Sequence, residues 1–65
     1  MDKITSETIN KIEKYFSLLK KALNSKVYNY AEMLADDISA EGRDLWRHIQ
    51  KLKETDEQQG GNNNE

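Results

Sequence analysis

The chain has no cysteine and no proline among its 65 residues, and only three glycines. Without cysteine there is no disulfide staple and no thiolate site for zinc or an iron–sulfur cluster. No run of about 18 apolar residues exists, so no helix is expected to span a membrane. Met1-Asp2-Lys3 leads into Ile4-Thr5-Ser6-Glu7 and not into an apolar run. That start points away from a signal peptide and toward a cytoplasmic chain. A phosphate-cradling glycine loop is also missing, since Gly60-Gly61 lies in a purely polar stretch.

What is present is polar and charged. Hydrophobic residues make up 35% of the chain and charged residues 34%, with a mean hydropathy of -1.00. A single core in a chain this short supplies only about 3–5 kcal/mol. With disulfides excluded and few metal ligands at hand, self-association is the expected source of further stability.

The spacing of apolar residues predicts two helices. Ile9, Ile12, Phe16, Leu19 and Leu23 alternate steps of three and four, the seam of a helix that packs on other helices. Tyr15, Leu18 and Ala22 widen that stripe. Thr5 or Ser6 is the expected N-cap. Asn24-Ser25 is the expected break, with Asn24 in the left-handed conformation of a C-cap and Ser25 capping the next helix. A connection of about 2–4 residues turns the second helix antiparallel to the first. A single helix running through Asn24 is the alternative.

The second helix carries Val27, Ala31, Leu34 and Ile38, then Gly42, Leu45, Ile49 and Leu52. Two consecutive steps of four, from Leu34 to Ile38 and on to Gly42, shift the seam as a stutter. Either Gly42 lies within one long helix and admits another backbone, or Ser39 caps a third helix. The long helix is preferred. The expected fold is therefore all-α: a helical hairpin over residues 1–53, dimerising into a four-helix bundle. Its core would hold Ile9, Ile12, Phe16, Leu19, Leu23, Ala31, Leu34, Ile38, Leu45, Ile49 and Leu52. Residues 54–65 contain no apolar side chain and read as a disordered acidic and polar tail.

Charge is unevenly spread. All ten lysines and arginines lie in residues 1–53, and residues 54–65 hold four acids and no base. The first helix is basic and the middle of the second is acidic. Glu32 with Asp36, and Asp37 with Glu41, are like-charged pairs at i,i+4, which the lysines of helix one could relieve.

Few residues suggest chemistry. His48 shares a helix face with Glu41 and Asp44, but no Glu-x-x-His pair is present, and a surface pair of Asp44 with His48 accounts for the spacing equally well. Ser6, Ser17, Ser25 and Ser39 suit caps and helix surfaces, and no nucleophile–base set is legible. The expectation is no enzyme, no cofactor and no metal. Trp46 lies one turn beyond Gly42. Its ring either covers the gap the glycine leaves or serves as an exposed binding anchor with Tyr30 and Met33 on the same helix. On that basis the chain reads as a small regulatory or adaptor protein that binds protein partners through its helices. Such chains fit the inhibitors and assembly factors of phages, viruses and plasmids.

Lys3, Asn10, Lys14, Ser17 and Lys21 fall on one polar stripe of helix one. A two-fold dimer would double it into a basic surface able to contact phosphates. In length, hairpin layout and this basic and amide stripe, the chain resembles the Rop-like plasmid copy-number regulators. That resemblance implies a dimer of helical hairpins that binds RNA hairpins through its first helices.

Overall fold

In the computed structural model, which describes residues 1–60 and their side chains through Asp56, the chain forms two helices, α1 (Lys3–Asn24) and α2 (Tyr28–Gly60), with no strand among the described residues. The helices pack antiparallel. The start of α1 meets the second half of α2, where Asp2 reaches His48, and Lys11 reaches Glu41 midway.

Helix α1 begins three or four residues earlier than the threonine or serine suggested. Asp2, not Thr5 or Ser6, is its N-cap. The Asp2 backbone is extended (φ -71°, ψ 164°), and its Oδ2 accepts from the Thr5 backbone N–H at 3.0 Å. The Thr5 hydroxyl donates to Oδ1 at 2.6 Å, so both carboxylate oxygens are engaged. A carboxylate also suits the positive end of the helix dipole.

The turn spans residues 25–27 and differs from the expected one. Ser25 is the C-cap of α1 and does not cap α2. The left-handed residue is Lys26, at φ 61°, and not Asn24. Its N–H donates to the Leu23 carbonyl at 3.1 Å, and that of Val27 donates to the Ala22 carbonyl at 2.9 Å. These paired bonds form a Schellman motif, which satisfies the last carbonyls of α1 and reverses the chain.

Helix α2 runs unbroken through Ser39 and Gly42, as the long-helix reading expected. It also continues to Gly60, seven residues into the stretch expected to be disordered. The physical reason is propagation. Once packed turns upstream have formed the helix, each added residue gains a backbone bond without a new nucleation cost, and Glu, Lys and Gln are good helix formers. The Thr55 hydroxyl folds back onto the Lys51 carbonyl at 3.1 Å. Residues 61–65 of the expected tail lie outside the described residues. Because α1 starts level with His48, α2 projects beyond it by about 18 Å at 1.5 Å per residue.

The core is small and lies near the turn. Ala22, Ala31 and Leu34 are its buried hydrophobic residues, with Tyr15, Leu18 and Leu19 packed against them. Phe16, Leu23, Ile49 and Leu52, expected in the core, stay exposed in the single hairpin. The reason is rotational. Thr5, Thr8, Ile12, Tyr15, Leu19 and Ala22 form the inward column of α1, and Ala31, Leu34, Ile38, Glu41, Leu45 and His48 that of α2. Both columns alternate steps of three and four without a stutter, so each helix turns its strongest apolar stripe partly away from the other.

Candidate interaction surface

Two polar residues occupy the inward column of α2, and α1 answers both. Glu41 Oε2 lies 3.4 Å from Lys11 Nζ. His48 Nε2 lies 2.9 Å from Asp2 Oδ2. The Thr5 hydroxyl, the Thr5 N–H and His48, in that order of effect, hold the Asp2 carboxyl well below the usual carboxylate range. These contacts fix the register of the hairpin, since sliding either helix by one turn would break both. Asp44 does not pair with His48. It faces solvent and lies 3.7 Å from Arg47. Among the described residues no group of three or more His, Cys, Asp and Glu is placed to hold a metal ion.

Apolar side chains at one edge of the seam and just outside it gather on one flank. Leu19 and Leu23 of α1 meet Tyr28, Ala31 and Ala35 of α2 in an open groove of about 380 Å³, with Glu32 at its rim. Phe16 extends the α1 side of this flank one turn before Leu19 and two before Leu23, and it is 48% exposed. Along α2 the flank continues from Tyr28 through Ala35 and Gly42 to Ile49, a column repeating every seven residues. Trp46 stands beside the far end of that column and is 61% exposed.

The expectation that Trp46 covers Gly42 does not hold. A Cβ placed on Gly42 would meet nothing within 4 Å. Gly42 is exposed and off the inward column, which passes through Glu41 instead. Trp46, Tyr30 and Met33 are all exposed, but they do not form one patch. Trp46 and Met33 are thirteen positions apart, which puts them about 20 Å apart along the axis and on opposite flanks. The alternating column through Glu41 and His48 was a signal in the sequence for the true seam, and the groove residues follow from it.

Lys3, Asn10, Lys14, Ser17 and Lys21 are all exposed along the back of α1, away from both α2 and the groove. Glu7 shares that stripe and lies 4.0 Å from Lys3.

Comparison with protein-family models, curated proteins and solved structures finds no match to this chain.

Proposed function

We propose that the chain is a non-enzymatic binding protein of the regulatory or adaptor kind, whose hairpin joins a second copy in a four-helix bundle and docks protein partners through its helices. The observation that carries this reading is the flank of Phe16, Leu23, Tyr28, Trp46 and Ile49, exposed beside a core of three buried residues. Apolar surface gains about 25 cal/mol per Å² when removed from water. Large apolar side chains exposed along one flank of so small a molecule mark an interaction surface.

Sedimentation equilibrium from nanomolar to high micromolar concentration tests the reading. A reversible dimer is expected, and a stably folded monomer throughout would overturn it.

A second reading is RNA binding through Lys3, Asn10, Lys14, Ser17 and Lys21. What favours it is their position on the back of α1, where association through the groove flank leaves them open. Affinity for a short RNA hairpin should then fall steeply as salt rises, and Lys14→Ala with Lys21→Ala should weaken it without loss of helicity. Unchanged binding by the double variant would remove this reading.

A further inference from the structure

We infer that the occupant of the groove is Trp46 of a second copy, with the two α2 helices packed antiparallel about a two-fold axis near Ser39. This rests on the self-association proposed above and adds its geometry.

Along the axis of α2 the groove is centred between Tyr28 and Ala35, level with Glu32 at its rim. Glu32 lies seven residues before Ser39, and Trp46 seven after it. Fourteen residues are two heptads, so groove and indole share one face of the helix. A two-fold axis at Ser39 therefore sets each Trp46 over the partner's groove, and one complementary pair is made twice. Ala35 and Gly42 flank the same axis. Neither has bulk beyond a methyl group, and the space over Gly42 is open. The two helix backbones can approach closely between the tryptophans.

Charge sets the direction. Residues 28–40 carry Glu32, Asp36 and Asp37 and no base. Residues 42–53 carry Arg43, Arg47, Lys51 and Lys53 against Asp44. An antiparallel pair lays the acidic half of each α2 on the basic half of the other. A parallel pair would set acid on acid and base on base.

Length agrees with this placement. Helix α1 accompanies α2 from the turn to His48. The midpoint of that span is close to Ser39, so the axis lets the two hairpin bodies overlap completely. The projecting ends of α2 then point in opposite directions, and Glu54 falls just beyond Lys26 in the partner's turn. With both hairpins pointing the same way, Glu54 and Asp56 of the two copies would crowd together at one end.

The sequence provides its own reporters, since Trp46 is the only tryptophan and cysteine is absent. As concentration carries the chain through its sedimentation transition, Trp46 emission should shift to the blue. Ser39→Cys should form a disulfide-linked dimer under mild oxidation, with helicity unchanged by circular dichroism. Trp46→Ala should raise the dimer dissociation constant about thirtyfold, the loss expected of a buried anchor. A dimer with unshifted Trp46 emission, or one in which Ser39→Cys does not cross-link, would overturn the antiparallel arrangement and leave self-association standing. The outcome that stacks α2 on the partner's α1 would show itself in that way. A monomer at every concentration would overturn both.

Discussion

His48 Nε2 lies 2.9 Å from Asp2 Oδ2, so residues 46 positions apart in sequence close the open end of the hairpin. The same carboxylate caps α1. The Thr5 hydroxyl and backbone N–H, followed by His48, favour its charged form. Its pKa in the folded chain is therefore below its unfolded value. The stability it confers is complete above the ordinary aspartate pKa near pH 4 and is lost as the pH falls through the lowered one. Thermal melts of the native chain and Asp2→Ala should differ at pH 7, and the gap should narrow steadily below about pH 4. A gap that stays constant or widens on acidification would show that the carboxylate does not contribute through its charge.

Lys26 adopts φ 61°, a conformation that costs a residue with a Cβ about 1–2 kcal/mol. It sits there because the two Schellman bonds require a left-handed residue at this point of the turn. Glycine meets the same requirement without the steric cost. Lys26→Gly should therefore raise stability in urea titrations by about 1 kcal/mol, after allowing for the greater freedom of glycine in the unfolded chain. A loss of stability would mean that the lysine side chain contributes more than its backbone costs.

Leu34 is the most deeply buried large side chain, at 2% exposure, and it touches the alanines that let the helices approach. Leu34→Ala should cost about 2–5 kcal/mol, enough to abolish the circular-dichroism signal of so small a fold at room temperature. Phe16, on the groove flank, should respond differently. Phe16→Ala should cost a dilute hairpin less than Leu34→Ala does, because about half of the Phe16 side chain remains in water there. At concentrations where copies associate, the same change should cost more. Equal losses at every concentration would place Phe16 in the hairpin core.

The contrast between Leu34 and Phe16 also explains what could be read from the sequence. The two helices and the turn near residue 25 were legible because apolar residues recur every three or four positions and lapse between Asn24 and Val27. The rotation of each helix was not, because counting only apolar residues gave the seam to Phe16, Gly42 and Ile49. Admitting Glu41 and His48 to the count restores a regular alternation, and the stutter disappears. Polar seam residues are invisible to a hydrophobic pattern, and their partners Lys11 and Asp2 lie far away in sequence. The extent of α2 was missed for another reason. Lack of apolar side chains argues against independent folding of residues 54–60, but not against their continuing a helix already formed.

Gly42 separates the single hairpin from its assembly. In an isolated chain a Cβ at this position meets nothing within 4 Å. Glycine within a helix costs about 1 kcal/mol relative to alanine. Gly42→Ala should accordingly stabilise the dilute hairpin by about that amount in thermal or urea unfolding. Gly42→Leu should gain nearly as much in the same dilute sample, since leucine is also a good helix former and the space is open. The variants part company on association. Gly42 lies one turn from the two-fold axis if the α2 helices pack antiparallel about Ser39, and a methyl group there asks for a small adjustment whereas an isobutyl group forces the helices apart. Sedimentation of Gly42→Leu should therefore show a weakened dimer built from a more stable subunit. Undiminished association of the leucine variant would place Gly42 outside the interface.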